Sequence, residues 1–410
     1  VLAVALALTA WDFARFARGV AGDASAQLDF RTYYWAARAW SLGEDPYALA
    51  ALSRVAGEPV ALPFLYPPVT LWAFRPFTLL APGDAARLWL GLKLLALGGL
   101  LLLWLRVFVR EGAGRLLLLA LCVHGFFRPL RNDLFNGNVS IPEQLLVWGA
   151  LALLLLAARG RQEGGPARAR ALLGFAVLLG VSAWFKLVTL ALLPLAWVLL
   201  RTRAALAAVA AGLGVFALGT LPSLLLQPAL VEGFRRGVAG LDERGEWENP
   251  SSWALMKDTA EGLAGAGYAL PPLVLPGAWV LLALVVAGLG LWRGRRLVPG
   301  RDTQQLLALW LLGYALLVPR LKGYSYALLL VPAAWVLTRA LHRRPLAALP
   351  ALVLVFGGRQ APLASWPYLP LAALVALFAL ACLEGGTEGG GAAAGGAEGA
   401  PDVERRARPV

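Results

Sequence analysis

Residues 88–110 read LWLGLKLLALGGLLLLWLRVFVR, an apolar run that closes on Arg106 and Arg110. At 1.5 Å of rise per helical residue the run covers about 33 Å, enough to cross a hydrocarbon layer of ~30 Å. The same unit, an apolar stretch ending in arginines, recurs along the chain. Of the 410 residues, 59% are hydrophobic and 15% charged, against roughly half and a quarter in a soluble domain. A single water-soluble core is therefore excluded. A secreted disulfide scaffold is excluded too, because the only cysteines, Cys122 and Cys382, lie in apolar runs.

A net charge of +13 would point to nucleic acid in a soluble protein. Here the basic residues sit between apolar stretches, as in the loops of inner-membrane proteins, and no nucleic-acid partner is expected. The clusters Arg106/Arg110/Arg115, Arg159/Arg161/Arg168/Arg170, Arg201/Arg203, Arg293/Arg295/Arg296/Arg301 and Arg339/Arg343/Arg344 fall at alternate span ends. All five on one face place that face, and both termini, in the cytoplasm. Arg in large excess over the four lysines, with abundant Ala, Leu and Gly, fits a GC-rich bacterial genome and says little about function; with the loop charges, the expected location is a bacterial cytoplasmic membrane.

The fold class expected is an all-α polytopic membrane protein of about 12 transmembrane helices. They fall near 1–12, 88–109, 116–130, 144–158, 171–185, 187–200, 204–226, 276–292, 304–318, 324–341, 346–357 and 367–383. The first of these is short for a crossing and reads as a clipped span, with no basic n-region or cleavage site of a signal peptide. The membrane domain covers 1–383, with long external loops at about 12–87 and 227–275. The proline-broken segment Leu62–Pro82 reads as interfacial or re-entrant. The Gly/Ala-rich stretch 384–410 reads as a disordered cytoplasmic tail.

In such a chain the informative residues are polar ones away from the cytoplasm or between helices. Gln27 to Trp40 reads as a short helix with Asp29 at its N-cap, its aromatics suited to the headgroup layer. Asp29 is then either a cap or a carboxylate at the lipid–water boundary, ready to take a proton. Asn136-Gly137-Asn138 is a turn by composition. Lys186 interrupts the apolar run Ala171–Leu200; it marks the external apex of two short helices or, in one long tilted helix, lies within the bilayer and faces a polar cavity or an anion. Arg320 and Lys322 put positive charge where the orientation bias disfavours it, so a ligand phosphate is a plausible counter-ion. Asp242–Ser252 reads as a polar cap over the second long loop. Phosphate-loop, Rossmann and paired Cys/His patterns are missing, so no metal or other cofactor is expected.

Asp29 with Tyr33-Tyr34-Trp35-Ala36-Ala37, then Gly43-Glu44-Asp45-Pro46-Tyr47, Tyr66-Pro67-Pro68 and Arg75-Pro76-Phe77 follow in a distinctive order. Asn136-Gly137-Asn138-Val139, Trp184-Phe185-Lys186, Asn249-Pro250-Ser251-Ser252 and Pro319-Arg320 continue it. In this order the chain resembles glycosyltransferase family 87, membrane mannosyltransferase-like enzymes of the GT-C fold. The resemblance implies a GT-C-like bundle with a long first external loop. It also implies transfer of a hexose, mannose favoured, from a polyprenyl-phosphate donor to a lipid or glycan acceptor hydroxyl on the external face, with inversion. Asp29 would be the general base, and Lys186, Arg320, Lys322, Arg128 and Arg131 would hold the donor phosphate. Tyr33, Tyr34, Tyr66, Asn136, Asn138, Asn249 and Ser252 would contact substrate, with membrane lipids around the bundle. The alternative is a transporter or lipid flippase, set aside because no half-repeat is visible and the first external loop is long.

Overall fold

The computed structural model describes residues 1–159, 165–240, 249–298, 302–357 and 366–384, and those residues are helical and connecting segments throughout. The first part of the chain runs α1 (Leu2–Gly22), α2 (Leu28–Ser41), α3 (Leu49–Ala56), α4 (Val69–Phe74) and α5 (Pro82–Leu103), the last extended by a π turn at Trp104–Phe108. Then follow α6 (Gly112–His124), α7 (Pro129–Asn136), α8 (Ser140–Arg159), α9 (Pro166–Phe185), α10 (Leu195–Leu200) and α11 (Arg203–Leu226). The remainder is α12 (Pro228–Ala239), α13 (Ser252–Gly265), α14 (Val274–Gly294), α15 (Thr303–Leu317), α16 (Leu330–Arg343), α17 (Pro345–Phe356) and α18 (Leu369–Leu383). Prolines open many of them: α5, α7, α9, α12, α17 and α18 each carry one in the first turn. There the missing N–H costs no helix bond and the ring presets φ.

Among the described residues, six helices are long and apolar enough to cross a membrane. The number is seven if α6 and α7, bent by 42° at their junction, form one span. The expected count of about twelve is therefore not reached by length and composition. The other apolar runs form shorter pieces: Leu187–Leu200, α15, α17 and α18. Prolines explain part of this, since Pro194 precedes α10 and Pro350 lies inside α17. Leu62–Pro82 holds α4 and a 3-10 turn at Arg75–Leu79, which together are too short to span. Helix α1 continues past the apolar run through Asp12, Arg15 and Arg18 to Gly22. Glu384, expected to open the tail, is instead buried; its carbonyl accepts from Arg293 and from Gln305 Nε2. Residues 385–410, Arg161, Arg301 and the polar cap at 242–248 lie outside the described residues.

Helix α8 is the hub, packed between α5 and α9, whereas α14 and α11 turn most of their surface outward. Such outward apolar faces are what a bilayer solvates. The helices run between two ends with different chemistry. Helices α5, α8 and α16 finish near Arg106, Arg159 and Arg343. At the other end, Ser140 opens α8 and the 3-10 turn Gly323–Leu329 leads into α16, while Lys93 lies midway along α5. Those segments converge on the polar cluster described next.

Candidate active site

Asp29 stands in the first turn of α2, and Gln27, not Asp29, is the N-cap. Gln27 adopts left-handed backbone with φ 58° and its side chain makes no cap bond. The carboxylate expected to cap the helix is thereby left to face across to another element: Asn138 Nδ2 donates to Asp29 Oδ2 at 2.6 Å. Asn138 Nδ2 also lies 3.0 Å from Tyr33 Oη and 3.1 Å from Tyr66 Oη. An amide has two N–H bonds, so three acceptors share them. Tyr33 and Tyr66 bond each other at 3.0 Å, and Tyr47 Oη donates to the Tyr66 carbonyl at 2.8 Å.

Aromatic packing sets the position of α2. Phe30 stacks on Trp89 with centroids 5.5 Å apart, and Tyr33 packs on Phe74 at 4.7 Å. Trp89 Nε1 donates to the Gly137 carbonyl at 2.8 Å, joining this cluster to the turn that carries Asn138. Phe30 and Tyr33 are thus buried against α4 and α5, where a helix lying in the headgroup layer would have left them at the lipid boundary. The turn itself depends on Gly137, which has φ +72°. A Cβ there would lie 2.9 Å from Phe30 Cβ and 3.0 Å from Gln27 Cα. Gly137→Ala is therefore expected to cost roughly 1–3 kcal/mol of stability. Thermal unfolding in detergent checks it, and an unchanged midpoint would remove the turn from the design.

On the other side of the turn, Ser140 Oγ donates to Asn138 Oδ1 at 2.9 Å and accepts from Lys186 Nζ at 2.6 Å. Helix α9 stops at Phe185, and Lys186 sits in extended backbone before a 3-10 turn at Leu187–Leu192. Of the two readings of the 171–200 run, the break at Lys186 is the one found. Lys186 Nζ also lies 3.4 Å from Glu143 Oε2, 3.4 Å from Ser325 Oγ and 5.4 Å from the centre of the Tyr324 ring. Lys186, Arg320, Ser325, Thr189, Tyr314 and Glu143 line one pocket.

Beneath the site lies an ion pair that sequence reasoning missed. Lys93 on α5 and Asp133 on α7 are both fully buried, with Nζ 3.1 Å from Oδ2. Lys93 also donates to the Asp133 carbonyl. The Asp133 carboxylate accepts the backbone N–H groups of Ser140 and Ile141, each at 3.2 Å, and so caps α8 from a distance. The available signal was a lysine within the run 88–110, the same anomaly that singled out Lys186.

The expected donor-site cations divide into two groups. Lys186 and Arg320 share the pocket, and Lys322 is close enough to act electrostatically on Asp29. Arg131 is engaged elsewhere, paired to Asp12 and 5.2 Å from the Phe16 ring, and ties α7 to α1. Arg128 has left-handed backbone at the N-cap of α7 and does not line the pocket. Among the expected substrate contacts, Tyr33, Tyr66 and Asn138 meet at Asp29. Tyr34 points away, its hydroxyl donating to the Leu80 carbonyl at 2.9 Å. Asn136 Nδ2 donates to Asn132 O at 2.9 Å within its own helix. Asn249 and Ser252 act as a clamp. Asn249 Oδ1 accepts from Leu321 N at 2.8 Å, and Ser252 Oγ donates to Leu316 O at 2.6 Å. With Ser251 Oγ on Pro319 O at 2.7 Å, they hold the segment that delivers Arg320.

Burial pushes the Asp29 carboxyl up to about 6, against the opposing pull of the Asn138 hydrogen bond and of Lys93 and Lys322. Burial likewise raises the Tyr33 and Tyr66 phenols, which stay neutral and able to donate. Asp29 does not itself line the pocket, but it is linked to Lys186 through Asn138 and Ser140, and a carboxyl so raised is equipped to accept a proton.

The sequence pattern of glycosyltransferase family 87 matches residues 64–319. Asp29 and Tyr33 precede that segment, and Arg320 and Lys322 follow it. No curated protein and no solved structure matched the chain.

Proposed function

The chain belongs to glycosyltransferase family 87, and from that premise we propose that it moves a hexose, mannose favoured, from a polyprenyl-phosphate carrier to an acceptor hydroxyl. One observation supports the reading most: an unbroken hydrogen-bond path from Asp29 through Asn138 and Ser140 to Lys186. It links Asp29 to Lys186 across one turn, which supports reading the first as proton acceptor and the second as the cation for phosphate. The acceptor oxygen attacks the anomeric carbon from the Asp29 side as Asp29 takes its proton. The lipid phosphate departs toward Lys186, Arg320 and Lys322, which stabilise the charge that develops there. Attack and departure on opposite faces invert the anomeric centre.

The arginines support an external face for the site. The helices that carry this cluster end near Arg106, Arg159 and Arg343. The positive-inside bias favours a cytoplasmic place for those ends and an external one for Asp29, where a membrane-borne donor is needed. The test is incubation of the purified chain with labelled mannosyl polyprenyl phosphate and an alcohol acceptor, with products read by mass spectrometry. Lys186→Met is expected to lower the rate by about 10²–10³, by analogy with removal of one oxyanion donor. Solute movement without a new glycosidic bond would favour the transporter alternative instead.

A further inference from the structure

Tyr324 enters none of the chemistry above, yet it stands where the two halves of the site meet. It lies in the 3-10 turn Gly323–Leu329, half-buried, with Lys186 Nζ 5.4 Å from the centre of its ring. Its hydroxyl belongs to the other half: Tyr66 and Asp29 act on it electrostatically, ahead of Arg320 and Asp133. The hydroxyls of Tyr33 and Tyr66 are taken up by each other and by Asn138, and that of Tyr34 by the Leu80 carbonyl. Among the described residues the Tyr324 hydroxyl has no hydrogen-bond partner, and it is not sealed from solvent either. Asp29 Oδ1 is in the same condition, because Asn138 holds only Oδ2. Two open polar groups thus lie close to one another beside Asn138.

We propose that the Tyr324 hydroxyl hydrogen-bonds a hydroxyl of the transferred sugar and so selects the donor. This rests on the glycosyl-transfer reading of the same site. In that step the acceptor oxygen bonds the anomeric carbon and passes its proton to Asp29. The bond from that carbon to the phosphate oxygen breaks, and its electron pair stays on phosphate. The sugar must then span the interval from the phosphate at Lys186 to the attacking oxygen at Asp29. Tyr324 runs along that interval, with its ring on the Lys186 side and its hydroxyl on the Asp29 side. A phenol both donates and accepts, which suits a sugar hydroxyl. Once the sugar displaces water, the phenol is left unpaired unless the sugar answers it, so an analogue lacking that hydroxyl is rejected.

The test uses the full chain in lipid nanodiscs with mannosyl polyprenyl phosphate and its single-deoxy counterparts, one for each free sugar hydroxyl. The wild-type chain is expected to lose about tenfold or more in kcat/KM with one of the deoxy donors. Tyr324→Phe keeps the ring beside Lys186. It is expected to lose as much with the intact sugar, and to lose nothing further with that same deoxy donor. An equal loss with every donor, or no loss, overturns the proposal and leaves Tyr324 a packing partner of Lys186. A second measurement needs no variant. With no acceptor present, nitration of Tyr324 in the wild-type chain, read by mass spectrometry, should be slowed by mannosyl polyprenyl phosphate and much less by polyprenyl phosphate. Equal nitration with the two lipids overturns the proposal even if the Phe variant fails to accumulate. A wild-type chain that transfers no sugar from the intact donor tells against the glycosyl-transfer reading itself, and the proposal falls with it. A chain that transfers sugar but fails either comparison overturns only the role of Tyr324.

Discussion

Asp29→Asn is expected to abolish sugar transfer while leaving abundance in the membrane unchanged. Loss of a general base costs about 10²–10⁴ in rate. The new amide keeps an oxygen to accept from Asn138 Nδ2, so the local geometry should persist. The wild-type rate should rise as Asp29 ionises, giving a limb in kcat/KM near pH 6, where burial has moved its carboxyl from 3.8. The same shift predicts a stability change. The folded chain holds this proton more tightly than the unfolded chain does, so folding takes up protons between about pH 4 and 6. Stability contributed by the protonated group is full below about pH 4 and is lost as pH rises through 6, by an amount near 3 kcal/mol. An amide has nothing to ionise, so the variant should lose that pH dependence. Transfer assays and thermal unfolding across pH 4–8 measure both. A variant that retains transfer would take Asp29 out of the mechanism.

The second large effect is expected at the buried pair. Lys93→Met alone leaves the Asp133 carboxylate without its cation in a fully buried site, and should cost about 3–5 kcal/mol. Lys93→Met combined with Asp133→Asn removes both charges and keeps an oxygen for one of the N–H groups of Ser140 and Ile141, which bond different oxygens of the carboxylate. Part of the loss should then return, as it does when buried ion pairs are replaced whole. Unfolding of the four chains in detergent gives the coupling directly. Additive single effects would mean that the pair is not what anchors the start of α8. Because that start carries Ser140, loss of the pair should also lower transfer even where the protein remains folded.

These expectations differ in how readily the sequence shows them. Asp29, Asn138 and Lys186 could be picked out because each is polar beside long apolar runs. Lys93 and Asp133 stand forty residues apart, and no local pattern links them. Asn249 and Ser252 look like sugar contacts in the sequence, yet their hydrogen bonds hold the backbone at Leu316–Leu321. A polar side chain near a site offers the same groups to a ligand or to a loop, and composition does not distinguish the two. The N-cap of α2 was misplaced for a related reason. Gln27 in left-handed backbone is an uncommon helix start, held by a bond from its N–H to the Phe135 carbonyl at 2.6 Å.

The sequence alone determined that this is a helical membrane protein, and which ends of its helices carry the arginines. Transfer of side chains from water to hydrocarbon adds up residue by residue along a run, so it can be read locally. Tertiary structure decided how many runs are long unbroken helices, and which polar groups meet. Hydrogen bonds and ion pairs act over about 3 Å, so whether Asp29 reaches Asn138, and Lys186 reaches Ser140 and Glu143, depends on how α2, α8 and α9 pack.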